Sequence, residues 1–310
     1  MGRAMESLES VTASVVKTKG RSTAAVTALL KYIRTHKLRE SKLVVQYGKP
    51  LVQGGGGSAL GDEKWTVLEQ VFIAALDTKD MDLADACLRG LHTQFPDSAR
   101  VKRLVGMKSE AERDYTAALQ IYDELLEANP ANQLAMKRKI CILRADNKVQ
   151  SAIHELNEYI KRFQADASAW QELADLYLSV AKYDSAAFCY EELILHNPMS
   201  HLLHCRLGEI YYTLGKENLT VARKHFCKSL ELKRKDNPRA LHGLRSCCSA
   251  LASGEERLAD PSVNAALSAY AARDLRDMYQ ATADPVLAGA LETVLESDSA
   301  TAPGGTLSAE

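Results

Sequence analysis

Aromatic side chains are scarce in this chain, 6% of 310 residues, and long alternating runs of Val, Ile and Thr are absent. Both lacks argue against a large β-sheet core. No apolar stretch approaches the roughly 18 residues that a membrane-spanning helix needs. The densest segment, 67–76, is interrupted by Glu69 and Gln70. The opening MGRAMESLES has no apolar run of signal-peptide length, so the expectation is a protein made and kept in the cytosol, able to reach a membrane through a partner. Net charge is also lacking: at −1, no global field draws the chain to nucleic acid or anionic lipid, and any charge-driven contact must come from a local patch. The seven cysteines are odd in number and include no CxxC pair, which fits free thiols in a reducing compartment.

What the chain does have is a period. Ala84, Ala118, Ala152 and Ala186 stand 34 residues apart. Four residues after each come Leu88, Tyr122, Leu156 and Tyr190, and three further on come Leu91, Leu125, Tyr159 and Leu193. Pro96, Pro130 and Pro198 close three of these units, with Gln164 at the equivalent place in the other. A fifth unit carries Ala222 and Phe226, displaced by two residues that a turn near 215–219 can absorb. This period and residue set define the tetratricopeptide repeat. The clearest unit has Trp170, Leu173, Ala174 and Tyr177 on its first helix and Tyr183, Ala186, Tyr190 and Leu193 on its second. Such i, i+3, i+4, i+7 spacing makes one apolar stripe per helix, and a helix pair can bury that stripe only by stacking on its neighbours. The expected fold is therefore an all-α, right-handed superhelical tetratricopeptide-repeat solenoid with flanking helices.

The flanks divide the chain further. Residues 1–61 hold two helical candidates, about 23–36 and 42–52, and a Gly54-to-Ser58 joint. Five repeats fill 62–238, capping helices fill 239–296 (about 239–252, 261–282 and 285–296), and a small, polar, disordered tail occupies 297–310.

Candidate chemistry is thin. Gly56 to Gly61 has the glycine spacing of a phosphate loop, but Asp62 and Glu63 stand where Lys and Ser or Thr should be. His201, His204 and Cys205, with His225 and Cys227 one helix away, have spacings that could share a metal, although histidines at a helix end are more often surface or cap residues. Cys247-Cys248 reads as buried or idle thiol. No triad or carboxylate pair stands out, so no enzyme activity, metal or cofactor is expected. Basic residues say more. Arg100 and Arg103 lie on the first helix of the second repeat, Lys137 and Arg138 on that of the third. Arg103 and Lys137 share a repeat position that in this fold lines the inner groove, so the four are candidates for holding an acidic or carboxylate-bearing partner segment; the alternative is an ordinary solvated face.

Over about 60–245 the chain resembles subunit 2 of the endoplasmic-reticulum membrane protein complex. The strings that carry this are LGDEKW (60–65), EQVFIAALD (69–77), FPDSARVKRLVGM (95–107), AMKRKI (135–140), AIHELNEY (152–159), AWQELADLY (169–177) and YDSAAFCYEEL (183–193). Nearer the N-terminus only 39–51 looks similar; the glycine run departs from the family, and the C-terminal helices match weakly. The resemblance implies a non-catalytic scaffold, peripheral on the cytoplasmic side of the endoplasmic-reticulum membrane. It would bridge membrane-embedded insertase subunits and a second cytosolic subunit, in support of inserting tail-anchored and multispanning proteins. The alternative is a chaperone adaptor that grips acidic C-terminal peptides. That clamp needs asparagines at the ninth and sixth repeat positions, where this chain has Ile73, Met107, Cys141 and Asp175, and Gln70, Leu104, Arg138 and Glu172.

Overall fold

The structure, a computed structural model, describes residues 7–54, 60–61, 63–253, 260–281 and 285–300. Residues 55–59, which hold most of the glycine-rich joint and the start of the phosphate-loop-like run, lie outside these, as does the tail from 301. Every regular element among the described residues is helical. The chain divides after Lys148 into two compact units. The first holds α1 (Leu8–Lys17), α2 (Thr23–Thr35), α3 (Ser41–Gln53), α4 (Glu63–Thr78), α5 (Met81–Gln94), α6 (Ala99–Ala111), α7 (Tyr115–Ala128) and α8 (Gln133–Ala145). The second holds α9 (Val149–Arg162), α10 (Ala167–Ser179), α11 (Tyr183–His196), α12 (His201–Leu214), α13 (Leu219–Leu232), α14 (Pro238–Ala252), α15 (Pro261–Ala281) and α16 (Pro285–Ala300). In each unit successive helices pack as antiparallel neighbours, such as α4 on α5, α6 on α7, α10 on α11 and α12 on α13.

The helix boundaries repeat at the same interval as the alanines. At the start of first helices, the Asn132 and Asp166 side chains accept the Ala135 and Ala169 amides at 3.2 and 3.3 Å. At the start of second helices, Asp80 and Asp114 accept the Leu83 and Ala117 amides at 3.2 and 3.0 Å. Each such cap contributes about 1 kcal/mol. Between the two helices of a repeat the chain turns through a left-handed residue: Lys79, Arg113, Asn147, Ala181 and Gly215 have φ of 62°, 63°, 57°, 56° and 105°. These positions are again 34 apart. In the first four the following amide bonds back to the carbonyl five residues earlier, as Lys182 does to Tyr177 at 2.9 Å, closing the helix end. Only the fifth uses glycine. There a 3-10 turn, Lys216–Asn218, takes up the two extra residues.

Small residues set how closely the helices approach. Ala84, Ala118, Ala152, Ala186 and Ala222 are wholly buried. Beside them stand the large buried side chains Tyr122, Leu156, Tyr190 and Phe226, while Leu88 is half-buried at the core's edge. The Tyr122 ring lies on Gly106, where a Cβ would come within 2.7 Å of it, and Phe226 is wedged between Gly208 and Gly243. Trp170 is buried, crosses Phe188 edge-on with centroids 6.0 Å apart, and its indole N–H donates to the Gln164 carbonyl at 2.9 Å. Half-buried Tyr177 accepts from the Asn157 amide at 3.1 Å.

The flanking helices complete the two cores. Val26, Leu29 and Leu30 of α2 join Val71 and Phe72 of α4 in one buried cluster. α1 joins it through Val11 and Val15; its Ser, Thr and Val content gives weak helix propensity, so it stood out poorly in the sequence. In the second unit the buried Arg245 on α14 donates to the Leu295 carbonyl of α16 at 2.7 Å. Buried Asn264 on α15 donates to the Cys248 carbonyl and accepts from Arg223, both at 2.8 Å. α16 continues through Ala300, over the first residues of the segment expected to be disordered. Once a helix is nucleated, extension through small residues costs little.

Two changes test this packing. Trp170→Ala removes a buried ring and its hydrogen bond and should destabilise the second unit by about 3–5 kcal/mol. Unchanged denaturant unfolding would show that Trp170 does not hold α10 in place. Ala181→Gly relieves a left-handed alanine and should instead stabilise by about 0.5–1 kcal/mol; a lower unfolding midpoint would contradict the turn described here.

Candidate functional site

The first unit contains a cavity of about 820 Å³ lined by α2, the α2–α3 turn, the start of α3, α4, α6 and α8. α4, α6 and α8 are the first helices of three successive repeats, so the lining inherits the 34-residue register. Apolar floor comes from Ile33, Leu38, Ile73 and Met107, and the polar lining sets five cations against four carboxylates. Burial of the carboxylates fixes how these charges pair. Glu69, with a side chain only 12% exposed, is held by Arg100 and by Arg103 at 3.3 Å. Glu110, nearly as enclosed at 16%, accepts from the Tyr122 hydroxyl and from Arg138 at 3.1 Å. Burial first, and then this carboxylate, push the Tyr122 phenol far above its ordinary range. Arg39 binds Asp77 through two bonds, 2.9 and 3.2 Å, and Ser41 donates to the same carboxylate at 2.6 Å. The Arg39 bond, supported by Ser41 and the nearby Arg138 charge, holds Asp77 below the usual carboxylate range. Gln70 links α4 to α2 by accepting from Arg34 and donating to the Leu30 carbonyl, both at 3.0 Å.

Of the four basic residues singled out from the sequence, Arg100 and Arg138 line this cavity. Arg103 stands behind it, 20% exposed, turned onto Glu69. Lys137 is half-buried on α8 and is not one of the lining residues. The acidic half of the site went unnoticed in the sequence, although a signal for it existed. Glu69 precedes Arg103 by 34 residues, as Arg103 precedes Lys137, so register alone places a carboxylate next to Arg103. Glu110 and Asp77 carried no comparable mark.

The histidines and thiols do not form a comparable site. Among the described residues no group of three or more His, Cys, Asp or Glu side chains is arranged to hold a metal ion. His204 and His225 do meet, Nδ1 to Nδ1 at 3.2 Å, while His204 Nε2 faces the Pro198 carbonyl at 3.1 Å. A carbonyl only accepts, so His204 carries its proton on Nε2 and accepts on Nδ1 from His225. Tyr211 stacks on His225 and donates to Glu191. Burial raises the thiols of Cys87, Cys189 and Cys247 to about 12, and those of Cys205 and Cys248 to about 11, leaving none of them a thiolate near neutral pH.

The histidine pair generates a pH prediction. Burial, then the neighbouring His204, lower the pKa of His225 below its ordinary 6.5, with Glu191 opposing. The folded chain therefore binds fewer protons than the unfolded one below that value. Stability should be full above about pH 6.5 and fall as the pH drops through the window beneath it. Urea unfolding at stepped pH should show this, and His225→Phe should flatten the slope; an unchanged slope would remove His225 as its source.

Comparison with known proteins adds what geometry cannot. The EMC2 TPR-like repeat domain family matches residues 82–231. ER membrane protein complex subunit 2-A of Xenopus laevis is 43% identical over 253 residues, spanning 81% of this chain and 84% of that one. ER membrane protein complex subunit 2 of Dictyostelium discoideum is 32% identical over 221 residues, spanning 70% and 69%. Among solved structures, the C-terminal part of a TPR repeat-containing protein from Cytophaga hutchinsonii superposes with a TM-score of 0.52 at 11% identity, covering 76% of this chain and 95% of that one; this likeness concerns the fold alone. Among the described residues no helix is long and apolar enough to cross a membrane. By its repeats, and by identity that runs through most of both chains, this protein belongs to the ER membrane protein complex subunit 2 family.

Proposed function

We propose that the chain is a non-catalytic scaffold subunit of an endoplasmic-reticulum membrane protein complex, working on the cytoplasmic side and supporting insertion of tail-anchored and multispanning membrane proteins. The observation that carries this reading is identity to named subunits of such a complex along 81% of the chain. In this reading the five repeats over 62–238 are the binding body, and the segments before and after them are docking or capping elements. Its partners are the complex's membrane-embedded subunits and a second cytosolic subunit.

The cavity between α4, α6 and α8 is the place proposed for a partner segment. Its formal charges are largely paired within the chain, so an incoming carboxylate gains most by sharing an arginine that retains solvent access. Arg100 fits best, its side chain being 64% exposed, and Arg138 follows at 38%. Arg103 and Lys137 would act behind them, Arg103 by holding Glu69 in place.

Affinity capture from detergent-solubilised membranes tests both levels. The intact chain should sediment with endoplasmic-reticulum membranes and bring down its partner subunits; a protein wholly cytosolic in intact cells would refute the assignment. Arg100→Ala with Arg138→Ala should reduce recovery of at least one partner by about tenfold or more, as expected for charged contacts at a partly desolvated interface. Arg100→Ala alone should cost only about 0–1 kcal/mol, since Glu69 keeps Arg103; Arg138→Ala leaves the enclosed Glu110 without its cation and should lower the thermal midpoint further, so recovery is compared at a temperature where both variants stay folded. Undiminished recovery of every partner would confine these arginines to internal pairing.

A further inference from the structure

A second surface lies in the other unit, away from any cavity. The α11–α12 corner exposes three large apolar side chains within eight residues: Leu195 at the end of α11 at 75%, Met199 in the turn at 72% and Leu202 at the start of α12 at 64%. The turn between α13 and α14 exposes Lys233, Arg234 and Lys235. A hydrogen-bond relay joins the two turns. The buried Ser229 hydroxyl donates to the His201 carbonyl at 2.8 Å, and the buried Asn237 amide donates to Ser229 Oγ and to the Lys233 carbonyl, both at 3.1 Å. The apolar and cationic groups therefore share one edge of the unit and are held in fixed relation. Arg234 is partly engaged, pairing with Asp274 at 3.4 Å and lying over Tyr270, with Arg273 over the same ring. Among the described residues Lys233 and Lys235 make no ion pair, and the one acid of the turn is the exposed Asp236.

We infer that this edge docks on an anionic lipid bilayer, with Met199, Leu202 and Leu195 entering the interface and Lys233 and Lys235 meeting the phosphate-bearing headgroups. Two observations favour a bilayer over a protein partner. The apolar side chains stand out singly from a helix corner, and a fluid interface accepts such groups without a matching shape. The lysines stand on the adjoining turn, and their flexible stems can bring charge to headgroup level while apolar neighbours go deeper. The chain's net charge of −1 provides no long-range attraction, so contact depends on this local patch and on lipid charge. The inference stands independently of the proposed membership of a complex, because it concerns the chain alone.

Flotation of the purified full-length chain with vesicles tests it. Vesicles of phosphatidylcholine with about a third phosphatidylserine should carry the chain upward, and pure phosphatidylcholine should not. Raising the salt to about 0.5 M should release it, since screening shortens the reach of the lysines. Lys233→Glu with Lys235→Glu, and separately Met199→Ser with Leu202→Ser, should each lower the bound fraction about fivefold or more. All four positions are exposed, so circular dichroism should match the parent chain. Failure of the parent chain to float with phosphatidylserine vesicles would overturn the inference, as would flotation that neither double variant reduces. Patch-dependent self-association without flotation, read by analytical ultracentrifugation, would also overturn it and make the edge a contact between copies.

Discussion

The architecture depends on how closely two helices can approach. Ala84, Ala118, Ala152, Ala186 and Ala222 have no accessible surface, and a side chain of one methyl group lets packed helices approach closely. The neighbouring large side chains then have fixed holes to fill. Tyr122 presses on Gly106, and Phe226 is held between Gly208 and Gly243, where an added Cβ would overlap the ring. Dense packing of this kind tolerates little change in volume, so the small and large positions are coupled. Because the coupling recurs at one interval, each helix pair presents its first helix in the same register as the last. The cavity in the first unit is a consequence: α4, α6 and α8 contribute lining residues at related repeat positions.

That dependence explains why the helices could be read from sequence while their turns could not. The alanine and aromatic positions carry identity, size and spacing at once, which is enough to place a stripe and hence a helix. The left-handed turn residues carry no such mark. Lys79, Arg113, Asn147 and Ala181 are four different side chains doing one backbone job, and only Gly215 has the residue type usually associated with it. At the other four the conformation is imposed by the two helices that must meet, with the hydrogen bonds of the helix end offsetting a local cost of about 1–2 kcal/mol. α1 was missed for a related reason: its helicity follows from burial of Val11 and Val15, which propensity does not reveal.

The site shows the same division. Arg100, Arg103, Lys137 and Arg138 stood out because like charges recurred in a known register. Their counter-ions did not, since an isolated Glu or Asp on a helix reads as ordinary surface. Glu69 is the instructive case. Its 34-residue offset from Arg103 turns the supposed row of cations into an acid–base pair spanning two repeats. Glu110 could be found only in three dimensions, because the residues that hold it, Tyr122 and Arg138, lie on two other helices.

Neutralisation of the groove has a consequence for recognition. A row of unpaired cations would attract any acidic segment and would discriminate weakly among them. Here Glu69 and Glu110 already occupy arginine donors, and each is too enclosed to be released without an unpaired buried charge. A binding segment cannot simply replace them. A segment bound as proposed would have to place its own acceptors where Arg100 and Arg138 have donors left, with its apolar groups over Ile73 and Met107. Internal pairing thus reduces general electrostatic attraction and leaves geometry to select the partner. In the proposed scaffold role that would favour a few partners over many, because an acidic segment with the wrong spacing would find Arg100 and Arg138 already engaged with Glu69 and Glu110.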